Sequence, residues 1–355
     1  MKATTATRLV AMGFCAALVA GGGMARAGDP ALVPADLQQR AQSIFGVLPK
    51  DAASESNPIT APKLELGRML YYDTRLSINQ ELSCNTCHVL SKYGVDNEPT
   101  SPGHEGKRGN RNSPTVYNAA FHVAQFWDGR APDVEEQAKG PVLNPVEMGM
   151  PDAAYVVRVL KTVPGYRPLF EAAFPGEADP ITYDHVAMAI GAFERRLVTP
   201  SRFDEYLAGN ASALTLSEQR GLATFIETGC PACHLGATVG GQMYQKLGLV
   251  KPYPTEDVGR AAVTKNDADK FFFKVPSLRN VEKTGPYFHD GRVTTLDQAV
   301  ALMAQHQLGK NLTDAQVKSI ATFLRSLTGL LPIDYIREPK LPPSSPDTPK
   351  PATKG

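Results

Sequence analysis

Two short segments with the same spacing, Cys84–His88 and Cys230–His234, carry the residues best suited to redox chemistry. Each reads C-x-x-C-H, in which two thiols can bond covalently to a haem and the adjacent histidine can bind its iron. Closely spaced cysteines could instead form a redox dithiol or half of a zinc site. The chain has five cysteines, and the fifth, Cys15, lies in an apolar N-terminal segment, so no further pair remains to complete a zinc site. We therefore predict two c-type haems, attached through Cys84, Cys87, Cys230 and Cys233, with His88 and His234 as proximal iron ligands.

Other residues could be catalytic or bind a cofactor, but residue type alone does not show whether their roles are functional or structural. His104 lies in a loop between glycines, where a lone histidine is more often a surface residue, although the glycines would permit movement. Trp127 is the single tryptophan, and a partly buried core position is its commoner role. Glu147 lies in the segment Asn144–Met150, where a glutamate is ordinarily exposed.

Composition and charge exclude some classes of protein. The chain has 355 residues, enough for two domains, and its 42% hydrophobic content is that of a globular protein. The formal net charge of +1 gives no strong field of one sign, so nothing favours nucleic acid as a partner.

The N-terminal residues have the order of a secretory signal. Lys2 and Arg8 precede the apolar run Leu9–Ala20, and Ala25–Ala27 forms a small-x-small cleavage site. An uncleaved membrane anchor is a weaker interpretation, because the apolar run is short and glycines interrupt it. We expect residues 1–27 to be a signal peptide, no membrane insertion of the mature chain, and export to an oxidising compartment, the periplasm.

Periodicity and capping signals predict the elements that position these residues. Helices are expected at Ala35–Phe45, Ala61–Tyr72, Ala153–Thr162, Tyr183–Val198, Leu216–Gly229, Leu296–Gln307 and Asp314–Thr328. Each C-x-x-C-H follows a helix, which indicates a loose duplication. The segment between His88 and Ala119 is a long loop, and loops of that length are usually functional.

The same signals divide the chain. Pro200 and the polar residues after it mark a boundary between a first haem domain, residues 28–199, and a second, residues 200–337. Residues 338–355 are rich in proline, serine and lysine and predict a disordered tail.

The order of the motifs resembles that of the bacterial dihaem cytochrome c peroxidases. The resemblance spans roughly Ala61 to Gly329. The segments that carry it are the first C-x-x-C-H, the loop with His104, Phe126–Arg130, Asn144–Met148, the second C-x-x-C-H, Val275–Asn280, Pro286–Gly291 and a late helical methionine, Met303.

The resemblance implies a fold and a set of site residues. The fold would be all-α, with two cytochrome c-like domains packed face to face and joined by long loops. The first haem would be peroxidatic, and the second would have a high potential. The implied assignments are His88 and His104 on the first iron, His234 and Met303 on the second, Glu147 as the acid-base residue with Gln137 beside it, Trp127 between the haems, and Asn112, Thr284 and Pro286 around an interdomain calcium.

The resemblance also implies a reaction. A thioether ligand favours ferrous iron, whereas two histidines favour ferric iron, so the second haem would store an electron. Half-reduction with calcium bound would release His104 from the first iron, and hydrogen peroxide would then react there, with Glu147 moving the proton. A small cytochrome c or a cupredoxin would donate two electrons in all, and a homodimer is possible.

Two other functions stay open at the level of sequence. The first is that of the dihaem enzyme that matures the tryptophan tryptophylquinone of methylamine dehydrogenase, which resembles this family but has a tyrosine on its second haem. Met303 argues against it, although Met243 is another candidate ligand. The second is a pure electron carrier with both irons permanently six-coordinate. The sequence does not decide whether His122, His289 and His306 have structural or functional roles.

Overall fold

The computed structural model describes residues 33–352. Predictions about the signal peptide and its cleavage site therefore lie outside the described residues. The α-helices within the described range are Leu37–Ile44 (α1), Ala61–Tyr72 (α2), Cys84–Cys87 (α3), Val134–Leu143 (α4), Ala153–Lys161 (α5), Tyr166–Ala173 (α6), Tyr183–Glu194 (α7), Arg202–Leu207 (α8), Leu216–Thr228 (α9), Ala261–Thr264 (α10), Leu296–Leu308 (α11) and Asp314–Arg325 (α12).

Shorter elements complete the fold. Two antiparallel strands, Tyr244–Lys246 (β1) and Phe272–Lys274 (β2), pair in a small sheet, with Tyr244 opposite Lys274. The 3₁₀-helices are Thr74–Leu76, Leu90–Lys92, His104–Gly106, Ala119–Phe121, Ala211–Ala213, Cys230–Ala232, Asp267–Asp269 and Val281–Lys283. The expected all-α fold is confirmed, with this one small sheet added to it.

The helices before each haem motif begin and end where the sequence dictates. The Thr60 side chain caps α2, and a capping box between Thr215 and Glu218 starts α9. Gly229 ends α9 in the left-handed conformation, with φ of 99°, which costs glycine little. The second C-x-x-C-H follows at once, so the cap fixes the direction in which that motif leaves the helix.

Two buried hydrophobic clusters hold these helices. The first is built mainly from residues 66–197, with α2 packed on α7, and the second mainly from residues 203–327, with α9 packed on α12. A glycine permits each close crossing. A Cβ at Gly67 would overlap the Ala189 carbonyl, and a Cβ at Gly221 would overlap the Ser319 carbonyl.

The clusters do not follow the chain strictly. Leu37 and Phe45, on and just after α1, belong to the second cluster, and Ile336 belongs to the first. The described residues form one compact unit, so the division into domains at residues 199 and 200 stays a prediction.

Several elements differ from the sequence prediction. Helix α7 ends at Glu194 instead of Val198, which leaves the Leu197 carbonyl to accept a hydrogen bond from the Asn118 N–H at 2.8 Å. Helices α3, α4, α6, α8 and α10 have no counterpart among the predicted helices. None of the helices within residues 33–352 is both long enough and apolar enough to cross a bilayer.

The C-terminal residues also differ from their prediction of disorder. Residues 338–352 lie along the first cluster, where Arg75 donates to the Pro342 carbonyl at 2.9 Å and the Ala352 N–H donates to the Ile78 carbonyl at 3.0 Å. Composition showed that this segment cannot form its own core, but it packs on the core of another part of the chain.

Residues 112–130 and 274–292 align without gaps and have the same local structure. Asn118 and Asn280 occupy equivalent positions, with φ of 60° and 61°. Their side-chain amides both donate to the Thr199 hydroxyl, at 2.9 and 2.8 Å. The two repeats therefore meet at a shared polar residue.

The two repeats also exchange backbone hydrogen bonds reciprocally. The Asn112 N–H donates to the His289 carbonyl at 2.7 Å, and the Lys274 N–H donates to the Trp127 carbonyl at 2.8 Å. In the alignment Asn112 is equivalent to Lys274, and Trp127 is equivalent to His289. Such an exchange defines a pseudo-two-fold relation between the halves.

Candidate active site

The first C-x-x-C-H is presented by the short helix α3. A capping box between Ser83 and Thr86 starts this helix, and the Tyr71 hydroxyl donates to the His88 carbonyl at 3.0 Å. The His88 Nδ1 is buried with no hydrogen bond to any described residue. Burial lowers the pKa of the His88 imidazole, so the ring is neutral, as an iron ligand must be.

The second C-x-x-C-H forms a 3₁₀ turn, and its histidine is equally buried. The His234 Nδ1 has no hydrogen bond to a described residue, and burial lowers the pKa of His234 to about 4. Gly240 lies against this ring with φ of 127°, and a Cβ there would overlap the Pro276 carbonyl. The backbone therefore encloses His234 on one side.

None of the four motif cysteines forms a disulfide within residues 33–352. Burial raises the pKa of Cys87 to about 11 and that of Cys230 to about 12, and it also raises the pKa values of Cys84 and Cys233. Such thiols are protonated at neutral pH, unlike the reactive thiolates of redox dithiols. In the described part of the chain no three His, Cys, Asp or Glu residues cluster as a metal site.

A cavity of about 260 Å³ adjoins the second motif. Cys230, Cys233 and His234 line it, and Met303 on α11 lines it as well. Met243 is not among the described residues that do so. Two thiols, a neutral imidazole and a thioether around one largely apolar cavity fit a covalently bound haem.

The loop carrying His104 is held against the segment carrying Glu147. The His104 N–H donates to the Glu147 carbonyl at 2.7 Å and to the Val146 carbonyl at 3.1 Å. Gly103 makes this approach possible, since a Cβ there would overlap the Val146 carbonyl. The His104 Nδ1 is buried without a hydrogen bond to any described residue, and the Nε2 of the same ring lies 3.7 Å from the Glu105 Oε1.

Neighbouring groups act in opposite directions on the Glu147 carboxyl. Burial raises its pKa, while the Arg130 charge and a hydrogen bond from Asn144 oppose the rise. The Asn144 Nδ2 donates to the Glu147 Oε1 at 2.7 Å. The Arg130 guanidinium stacks on Phe126, 3.4 Å from its ring centroid. The carboxyl is thus half-buried and oriented.

Trp127 contacts residues of both repeats, 112–130 and 274–292. Its indole Nε1–H donates to the Asn112 carbonyl at 2.9 Å, and its ring meets the His289 ring edge to face at 6.5 Å. Trp127 lines the same cavity as His234. Gln137 lies on α4, and no hydrogen bond between described residues joins its side chain to Glu147.

The three residues expected around calcium also meet at this cavity. Asn112, Thr284 and Pro286 all line it. The Asn112 Nδ2 donates to the Glu98 carbonyl at 2.9 Å, which leaves Oδ1 as the acceptor oxygen that a hard cation would prefer.

Sequence reasoning gave no role to Asn144, Arg130, His122 or Lys274, which the structure places beside the site. Asn144 lies three residues before Glu147, so its proximity in the chain was an available signal, whereas Arg130 lies in the separate segment Phe126–Arg130 and had none. The Lys274 Nζ donates to the His122 Nδ1 at 3.1 Å, a contact between residues far apart in sequence that no local pattern predicts.

Comparison with known proteins places this arrangement in a family. The sequence profile of the family described as di-haem cytochrome c peroxidase matches residues 61–212. The cytochrome c551 peroxidase of Pseudomonas aeruginosa is 46% identical over 324 residues, covering 89% of this chain and 92% of that protein. That of Nitrosomonas europaea is 47% identical over 296 residues, covering 82% of this chain and 87% of that protein.

Solved structures agree. The crystal structure of a MauG-like protein associated with microbial copper homeostasis superposes with a TM-score of 0.70 at 29% identity. The superposition covers 86% of this chain and 97% of that one. Given this match, the identity to the curated peroxidases and the two haem motifs, the chain belongs to the di-haem cytochrome c peroxidase family.

Proposed function

We propose that this cytochrome c peroxidase reduces hydrogen peroxide to water at the haem site of His88, using two electrons from a small redox donor. The observation that carries the proposal is the hydrogen bond from the His104 N–H to the Glu147 carbonyl at 2.7 Å. It joins the histidine that would block the iron to the segment that carries the acid-base residue. A pure electron carrier would have no use for a half-buried carboxyl at this place.

Haem bound at each motif supplies the iron that binds peroxide and the second iron that stores an electron. His88 and His104 would hold the first iron in the resting state, and His234 and Met303 would hold the second. The long loop that carries His104 gives it freedom to leave, and the glycines beside it permit the movement. Departure of His104 would open the first site to peroxide.

Glu147 then moves a proton within the bound substrate. The hydrogen bond from Asn144 and the positive charge of Arg130 favour its anionic form, so it can accept the proton of the oxygen nearer the metal. Delivery of that proton to the far oxygen makes water the leaving group. Burial strengthens the carboxylate as a base, because it raises the pKa of Glu147 towards the working pH.

Trp127 would form part of the electron path, since it lines the second haem cavity and donates a hydrogen bond to the Asn112 carbonyl. Calcium would bind at Asn112, Thr284 and Pro286, where carbonyl oxygens and one amide oxygen fit a hard cation. We place the enzyme in the periplasm, in keeping with the signal pattern of residues 1–27 and with a cytochrome c or cupredoxin as donor.

The test is peroxide-dependent oxidation of a reduced small cytochrome c by the calcium-loaded holoenzyme. Glu147→Gln should keep both haems and their spectra while kcat falls by about 10²–10⁴-fold, the range for loss of general acid-base catalysis. Glu177→Gln, which changes an exposed glutamate in the same way, is the matched control and should leave turnover unchanged. Undiminished turnover in Glu147→Gln would remove this residue from the mechanism.

The same assay compares the fully ferric with the half-reduced wild-type enzyme. Activity that requires half-reduction supports the release of His104. Activity in neither form, with both haems attached and a cupredoxin donor also tried, would favour an electron carrier.

A further inference from the structure

Lys274 is a buried cation without an acidic partner. Its side chain is 7% exposed, and its Nζ makes a single side-chain hydrogen bond, to the His122 Nδ1 at 3.1 Å. No carboxylate among residues 33–352 forms an ion pair with it. Burial alone lowers the pKa of Lys274 to about 8, which leaves the ammonium largely charged at neutral pH. Burying an unpaired charge costs free energy, so we expect an anion to lie beside Lys274.

His122 offers a second unused donor. Because its Nδ1 accepts from Lys274, the neutral ring carries its proton on Nε2. That nitrogen is buried and makes no hydrogen bond to a described residue. Gly241 packs against this ring, where a Cβ would overlap it, so the imidazole is confined. The ammonium and the Nε2–H together suit the two oxygens of one carboxylate.

The position of this pair identifies the carboxylate. Lys274 and His122 both line the cavity that contains Cys233, His234 and Met303. A haem covalently attached at this cavity carries two propionates, and these are the anions that its binding would bring. The chain itself provides no carboxylate partner for Lys274 in its described part.

The pseudo-two-fold relation gives independent support. In the alignment of residues 112–130 with 274–292, Lys274 is equivalent to Asn112, and His122 is equivalent to Thr284. Asn112 and Thr284 are the residues at which calcium would bind. Asn112 and Thr284 thus offer oxygen ligands for a cation. At the positions equivalent to them, Lys274 itself supplies the positive charge, beside His122.

We propose that Lys274 and His122 bind a propionate carboxylate of the haem attached through Cys230 and Cys233. The proposal rests on the two-haem chemistry above and adds residues that determine the properties of the second haem. The ferric state has one more positive charge than the ferrous state, so a nearby ammonium disfavours oxidation and raises the reduction potential. Lys274 would therefore help Met303 to make this haem the electron store.

The experiment is a redox titration of the calcium-loaded holoprotein, followed by absorbance, with the resonance Raman propionate bending band as a second readout. Lys274→Met should lower the potential of the second haem, shift its propionate band and leave the potential of the first haem unchanged. Lys274→Arg should restore both values. Lys246→Met removes an exposed lysine from the paired strand β1 and is the matched control.

A potential and a propionate band in Lys274→Met equal to those of Lys246→Met would overturn the proposal. If Lys274→Met fails to acquire both haems, Lys274→Gln, which keeps a polar group without the charge, takes its place with the same expectations. These readouts do not involve peroxide. A failure of this proposal is therefore distinguishable from a failure of the proposed peroxidase function, which would appear as no peroxide turnover by the wild-type protein, whatever the potentials of the Lys274 variants.

Discussion

Glu147, the proposed acid-base residue, shows how one hydrogen bond can shift the pKa of a carboxyl. Burial raises its pKa, and the bond from the Asn144 Nδ2 at 2.7 Å opposes that rise by stabilising the anion. A hydrogen bond to a charged group contributes about 1.5–3 kcal/mol, which corresponds to roughly one to two pH units. In the proposed mechanism Asn144 is thus a positioning residue that acts through Glu147.

Asn144→Ala should therefore raise the pKa of Glu147. Because the deprotonated carboxylate is the active base, turnover falls as pH falls through its pKa, and the variant should lose activity at a pH higher by about one to two units. The pH profile of kcat/KM measures this. Asn210→Ala, a change at an exposed asparagine, should leave the profile in place. An acidic limb at the wild-type position in Asn144→Ala would contradict the role.

At this scale the sequence predicted residues that belong to motifs and missed those that act through tertiary contacts. The two C-x-x-C-H segments predicted His88 and His234 as haem ligands, because this spacing is the attachment signature of c-type haem. The pairing of Lys274 with His122 depends on the approach of two distant segments, which no local pattern encodes. His104 and Glu147 needed the family resemblance, since each alone is an ordinary polar residue.

Among the elements, the loop with His104 should be sensitive to a small change at Gly103. In Gly103→Ala the added methyl group would overlap the Val146 carbonyl, so the loop must shift and the bond from the His104 N–H to the Glu147 carbonyl is lost. We expect the first haem to show a high-spin ferric spectrum before any reduction. Peroxide should then react with the fully ferric protein.

Gly109→Ala lies in the same loop and meets no atom within 4 Å, so it is the control for the glycine change. Electron paramagnetic resonance and absorbance spectra of both ferric variants make the comparison. A low-spin first haem in Gly103→Ala would mean that the contact with Val146 does not hold His104 in place.

Helices with strong start and stop signals were predicted closely, as α2 and α9 show. Helix α4 was missed because Gly140 and Pro141 lie within it, and both residues ordinarily break a helix. Here Pro141 lies in the last turn, and the Asp133 side chain caps the start by accepting from the Glu136 N–H at 2.8 Å. Packing of α4 on α7 outweighs the unfavourable propensity.

For the whole molecule, the C-terminal segment contributes stability to the first half. Residues 341–352 include the partners of Arg75, Thr162 and Ile78. Ending the chain at Lys340 should lower the free energy of unfolding by about 1–4 kcal/mol, since each of several partly exposed hydrogen bonds contributes about 0.5–1.5 kcal/mol. Differential scanning calorimetry of the holoprotein measures the change.

Ser345→Ala removes one donor, to the Thr162 carbonyl, and should give only a fraction of that loss. A truncated protein as stable as the full chain would show that the segment lies on the surface without contributing to stability. The composition of this segment predicted disorder because it excludes an independent core, but composition does not report docking onto another surface.

The reciprocal hydrogen bonds between the repeats have a consequence for electron tunnelling. The Asn112 N–H bonds to the His289 carbonyl and the Lys274 N–H bonds to the Trp127 carbonyl, so the halves are fastened at two points. Two hydrogen bonds at separate points restrain rotation of one repeat relative to the other. In the proposed mechanism the loop carrying His104 would therefore open while the electron path through Trp127 keeps its length, which matters because tunnelling rates fall steeply with distance.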